Sequence, residues 1–164
     1  MDAIEEAVPP GSVDFFAESS LSVLSERNVE RLERNGFKAV LPGIESWYDM
    51  GNKSKTGKNL GMDKVRKVAD HVNMVLEHIP YVQTNFVLGL DTDEGPEPFH
   101  LTKHFIDLAP GAYPALSFVT AFGEAAPLNL RYQEDGRVLG FPFHFLNCNH
   151  VMNVRLNNYA WPEF

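Results

Sequence analysis

The sequence predicts an α/β fold on parallel strands: part of a (β/α) TIM-type barrel, about four strands with crossover helices, then an irregular C-terminal extension. Three observations predict it. Short apolar runs alternate with segments of helical periodicity, the pattern of βαβ units. Four such runs are present, each followed by a crossover segment. The length of 164 residues falls below the roughly 200 that a full barrel needs, so about half a barrel fits. A doubly wound sheet fits the same alternation.

Each element has its own signal. Asp2 to Val8 reads as a helical stub with Ile4, Ala7 and Val8 apolar, stopped by Pro9-Pro10-Gly11. Val13 to Ala17 is a short apolar run, the first strand. Ser25 is an N-cap for a helix through Asn35, with Val29 and Leu32 inward and Gly36 at the C′ position. Phe37 to Ile44 is the second strand, weakened near its end by Pro42. A polar loop runs from Glu45 to Gly61. Met62 to Ile79 is the clearest helix: Met62, Val65, Val68, Ala69, Val72, Val75, Leu76 and Ile79 share one face. Pro80 ends it. Val82 to Leu88 is the third strand, Pro98 to Leu108 a helix ended by Pro110-Gly111, and Ala115 to Phe122 the fourth strand. The pattern is lost beyond Gly123, and no element is assigned to Gly136–Phe164. The stub before the first strand reads as the end of a helix whose strand lies upstream, and the apolar finish Tyr159–Phe164 reads as a truncation. Residues 1–125 are then the C-terminal half of a barrel and 126–164 the start of an extension.

Composition excludes several classes. Hydrophobic residues make up 44% and charged residues 22%, an ordinary globular balance. The net charge of −8 argues against a general nucleic-acid binder, which needs a basic stripe. No apolar run approaches the roughly 18 residues of a membrane helix, and the start Met-Asp-Ala-Ile-Glu-Glu lacks signal-peptide character. A cytoplasmic location is expected. The single cysteine, Cys148, excludes an intrachain disulfide and any multi-cysteine metal or iron–sulfur site built by this chain alone.

Parallel α/β folds bind ligands at the C-terminal ends of their strands. Here those ends read Ala17-Glu18-Ser19-Ser20, Pro42-Gly43-Ile44-Glu45-Ser46, Leu88-Gly89-Leu90-Asp91 and Ala121-Phe122-Gly123-Glu124. Each joins small residues, which admit a ligand to the backbone, with a carboxylate that can hold an ammonium group or a ribose hydroxyl. Other motifs fall short. Gly51 to Asn59 has five residues between its glycines and Asn59 where a phosphate loop has Ser or Thr, so it reads as a solvated basic loop. His100 and His104 share a helix face without the glutamate of a zinc-protease motif. His144, Cys148 and His150 match no structural zinc spacing and read as a packed segment. Asp91, Asp93 and Glu94 resemble the start of a calcium loop, but Gly95 comes one position early and Thr102 replaces the closing glutamate. No G-x-S-x-G elbow is present.

Six segments carry a family resemblance in order: Phe16-Ala17-Glu18-Ser19, Leu32 to Lys38, Val40-Leu41-Pro42-Gly43-Ile44-Glu45-Ser46, Gly51-Asn52-Lys53, Asn85-Phe86-Val87-Leu88-Gly89-Leu90, and, more loosely, Phe118 to Phe122. Together they resemble strands three to six of the radical S-adenosylmethionine (radical SAM) barrel, nearest to its cobalamin-associated and coproporphyrinogen-oxidase-like branch. The resemblance covers about two thirds of the chain. It implies a cofactor-binding set of Glu18, Ser20, Glu45, Ser46, Asn85, Gly89, Leu90 and Phe122. Glu18 and Glu45 would orient the amino or ribose groups of S-adenosylmethionine, Asn85, Gly89 and Leu90 would line the adenine side, and Phe122 would close the rim.

The family's C-x-x-x-C-x-x-C motif is absent, and three thiolates are needed to hold a 4Fe–4S cluster. The resemblance therefore implies a fragment of an enzyme whose parent uses S-adenosylmethionine, a 4Fe–4S cluster and, in this branch, cobalamin. The chain alone is not expected to perform radical chemistry. Its expected partner is the missing N-terminal half of the barrel, with a small-molecule substrate that the sequence does not name. The alternative is a stand-alone, non-enzymatic half barrel whose open sheet edges need a partner or self-association. Either way the isolated chain is expected to be poorly soluble or oligomeric.

Overall fold

A computed structural model of the chain describes residues 2–48, 60–121, 126–139, 153–157 and 159. The elements are α1 (Asp2–Ala7), β1 (Phe15–Ser20), a 3₁₀ turn (Leu21–Val23), α2 (Glu26–Arg34), β2 (Phe37–Glu45), α3 (Gly61–Leu76), β3 (Tyr81–Leu88), α4 (Glu97–Leu108), β4 (Tyr113–Phe118) and α5 (Pro127–Glu134). The fold is α/β. Its four strands form one sheet in the order β1-β2-β3-β4, and every pairing is parallel.

One layer of helices covers one face of this sheet. Val40 and Ile44 of β2 and Val82 and Phe86 of β3 alternate inward, as the period of two requires. They join Val29 of α2, Val65, Val68, Val72 and Val75 of α3, and Leu101 and Phe105 of α4 in a single buried core. Trp47 sits at the centre, with its ring 5.2 Å from Phe86 and 5.7 Å from Phe105. Its indole N–H donates to Thr102 Oγ1 at 2.8 Å, which satisfies the one polar atom that a buried Trp carries. Sequential strand order with right-handed crossovers puts successive helices on the same side. The opposite face carries Glu18, Leu41, Gly43, Gln83, Asn85, Ala115 and Ser117, all half-buried or exposed.

A second, smaller core lies beyond the ends of β3 and β4. Leu90, Val119, Ala121, Tyr132 and Val154 are buried there, with Val87, Leu128, Val138 and Leu156 against them. It joins α5 and residues 137–139 and 153–157 to the sheet.

Several expected boundaries move for physical reasons. The first strand spans Phe15–Ser20 rather than Val13–Ala17: an apolar criterion misses its polar end Glu18-Ser19-Ser20. The fourth strand spans Tyr113–Phe118 rather than Ala115–Phe122. Past Val119, whose N–H donates to Leu88 O, the Ala121 backbone bonds instead to the Asn153 side chain. The third helix stops at Leu76, ahead of Pro80 and the extended backbone that a following proline favours. Pro42 lies inside β2, paired with Ser19 on the β1 side. The β2–β3 pairing has no partner pair at Leu41 or Pro42 but keeps its register across them, and it shifts only between Gly43 and Glu45. Helix α5 has no counterpart in the sequence reading. No helix among the described residues is long and apolar enough to cross a membrane.

Candidate functional site

The irregular end of β2 builds the candidate site. Glu45 has φ +66°, the left-handed region that an L side chain rarely adopts. The turn is very tight: Ser46 N–H donates back to Ile44 O at 2.9 Å, a three-residue turn about Glu45. This turn folds the Glu45 carboxylate back over Gly43. A Cβ at position 43 would lie 2.5 Å from Glu45 Oε1, so glycine is what leaves room for the carboxylate.

Cross-strand register sets the neighbours. Ser20 pairs with Gly43, Gly43 with Asn85, and Asn85 with Ala115. The row lies near the C-terminal ends of four parallel strands, with neighbours about 4.8 Å apart. Ser20 and Asn85 thus flank Gly43, with the Glu45 carboxylate above it. Ser20 Oγ also caps the following 3₁₀ turn, accepting from Ser22 N–H at 3.3 Å. Glu18 is exposed one step lower on β1, opposite Leu41.

The other expected residues play different parts. Ser46 is buried; its Oγ accepts from Tyr48 N–H at 3.1 Å and its carbonyl accepts from the buried Lys64 ammonium. The Leu90 side chain lies in the second core. Gly89 has φ +88°. Its N–H and that of Leu90 donate to Asp93 Oδ2 at 2.8 and 3.1 Å. Phe122 lies outside the described residues, as do the loop Gly51–Asn59 and the trio His144, Cys148 and His150.

Two residues of the rejected calcium pattern have structural partners. Asp93 is buried, and burial pushes its carboxyl above the ordinary range, against the two backbone N–H bonds. Asp91 makes a two-pronged pair with Arg137 at 2.7 and 2.8 Å. The Arg137 hydrogen bonds hold the Asp91 carboxyl below its usual range. The Arg137 guanidinium also stacks over the Tyr132 ring at 4.6 Å. Tyr48 donates its hydroxyl to Glu97 at 2.8 Å. Burial, with that bond, raises its pKa, so it remains a neutral donor. His100 and His104 are exposed on α4. Among the described residues no group of three or more His, Cys, Asp or Glu is arranged to hold a metal ion.

Sequence reasoning missed Arg137, Tyr132 and Asn153, which act through contacts far along the chain. It also missed Tyr81 and Gln83 on the open face of β3; alternation of polar residues at 81, 83 and 85 was the available signal. A cavity of about 230 Å³ lies at the other end of the sheet, lined by Glu5, Val8, Pro9, Pro10, Val13, Arg34 and Asn35. That is the end opposite to where parallel sheets bind ligands.

The arrangement supplies an acidic acceptor at Glu45, held over Gly43, an amide at Asn85 and a hydroxyl at Ser20. This set suits a small polar ligand carrying ammonium or hydroxyl groups. Comparison with protein-family profiles and with curated proteins matched none.

Proposed function

We propose that this sheet is half of a radical SAM-type (β/α) barrel and that its rim at Ser20, Glu45 and Asn85 binds S-adenosylmethionine. The observation that carries the reading is the left-handed Glu45, whose carboxylate is folded over Gly43 at the C-terminal end of a singly wound parallel sheet. Backbone strain of that kind persists where surrounding structure enforces it and gathers at ligand sites. Strand order without reversal, with one helix-covered face, is what barrel closure requires and a doubly wound sheet lacks.

The residues fit S-adenosylmethionine and do not fit a 4Fe–4S cluster. Glu45 can accept from an ammonium or a ribose hydroxyl, and Gly43 leaves room for its carboxylate at the strand end. One cysteine cannot supply three thiolates. In this reading the cluster, and cobalamin where the parent uses it, belong with the other half of the barrel. This chain binds and orients; it carries out no radical step of its own.

A second reading is favoured by the edges. Phe16 on β1 is 72% exposed, and Tyr113 on β4 is 57% exposed. Apolar side chains on the two strands that end the sheet among the described residues suit a non-enzymatic half barrel that pairs with another chain or with itself. Calorimetric titration of the intact chain with S-adenosylmethionine separates the two. The first reading expects saturable binding that Glu45→Gln weakens about tenfold. Absence of saturable binding overturns it, and self-association in the same sample then favours the second.

A further inference from the structure

The open face of β3 carries a file of hydrogen-bonding side chains that ends at the site. Tyr81, Gln83 and Asn85 occupy alternate positions and so project to the same side. The Tyr81 hydroxyl donates to Gln83 Oε1 at 3.2 Å. Gln83 Nε2 donates to Asn85 Oδ1 at 2.9 Å. Tyr81 is steadied by stacking on Tyr113 across the strands, with ring centroids 6.2 Å apart.

We infer that Tyr81 and Gln83 are positioning residues that hold the Asn85 amide with its NH₂ turned to the rim, beside the Glu45 carboxylate. The two amides are coupled. Each presents an oxygen on one side and an NH₂ on the other, so the end that Gln83 engages fixes the end that Asn85 offers. With its oxygen engaged by Gln83, Asn85 offers a donor. Glu45, one strand away over Gly43, offers an acceptor.

A donor and an acceptor side by side select a ligand edge with the complementary acceptor and donor. This assignment rests on the S-adenosylmethionine reading, and that molecule has two such edges: its carboxylate and ammonium, and the ring nitrogen and amino group of adenine. L-methionine and adenosine, each titrated alone, distinguish them.

The test is Gln83→Glu. A carboxylate cannot donate to Asn85 Oδ1 and can accept from Asn85 Nδ2, so the Asn85 amide should reverse. Gln83 is half-buried on the open face, and a thermal melt checks that the variant folds. In ¹⁵N-resolved spectra of the ligand-free chain, the Asn85 side-chain NH₂ should shift and exchange more slowly with water in the variant. Unchanged shifts and exchange overturn the inference whether or not any ligand binds. In titrations, S-adenosylmethionine should bind about tenfold more weakly to Gln83→Glu and about threefold more weakly to Gln83→Leu, which frees the amide without reversing it. The probe, L-methionine or adenosine, whose affinity falls in Gln83→Glu identifies the edge that Asn85 reads. Equal affinity of both probes for wild type and Gln83→Glu, with Asn85→Ala still weakened, overturns the positioning role and leaves the binding site standing. No S-adenosylmethionine binding by wild type sinks the functional reading alone, because the amide resonances still decide the orientation.

Discussion

Glu45 shows how much a single backbone angle can carry. An L residue in the left-handed region costs roughly 1–2 kcal/mol, and at φ +66° Glu45 bears that cost at the end of a central strand. Glycine adopts the same angle freely. Glu45→Gly is therefore expected to raise stability by about 1 kcal/mol in urea denaturation while weakening S-adenosylmethionine binding. A variant less stable than wild type would show that glycine's added chain entropy and the lost Glu45 contacts outweigh the strain. Opposite signs for stability and binding are what a site under backbone constraint produces.

Among the connections between elements, the turn between β3 and α4 is held from within. Asp93 satisfies the N–H groups of Gly89 and Leu90, both buried. Asp93→Ala orphans two buried donors and should cost about 2 kcal/mol by urea denaturation. Asp93→Asn keeps an acceptor oxygen and removes a charge that burial disfavours, so its cost should stay under about 1 kcal/mol. If Asn were as damaging as Ala, the carboxylate charge rather than its oxygen would be what the turn needs. Within the acidic run Asp91–Glu94, Asp91 and Asp93 turn to different partners, Arg137 and the backbone of the turn.

Across the whole molecule, a polar clasp ties residues 137 and 153–155 to the segments that follow β3 and β4. Arg137 pairs with Asp91, donates from Nε to Arg155 O at 2.9 Å and stacks on Tyr132. Asn153 grips both backbone groups of Ala121. Because the folded state lowers the Asp91 pKa, its contribution is complete above the unfolded value, about 3.9. That contribution disappears as pH falls through the lower folded value. Arg137→Leu should cost about 2 kcal/mol at pH 7 and abolish this acid-dependent part. Hydrogen exchange should speed up at the Ala121 amide, which bonds the Asn153 side chain, and at the Leu139 and Arg155 amides, which pair the two C-terminal segments. Faster exchange spread evenly over β2 and α3 would show instead that the clasp supports the entire fold.

Local pattern alone determined the α/β class, the four parallel strands and the crossover helices. Val40, Val82 and Phe86 announce the sheet by alternation, and the Val ladder of α3 announces its buried face. Those signals survive without tertiary information because burial against one helix layer dictates both periodicities. The sequence also marked Ser20 and Glu45 at strand ends, while Asn85 was expected only from the family resemblance. Only the tertiary structure decided which of the marked residues meet. Register brought Ser20, Gly43 and Asn85 into one row, whereas Asp91 is tied to an arginine 46 residues away and Leu90 is buried in a second core. Helix α5 escaped notice because its apolar residues pack against a small cluster rather than along a full helical stripe. Strand ends look alike in sequence; the backbone angle at Glu45 and the reach of Arg137 are properties of the folded chain, set by close packing and long-range pairing that no local window contains.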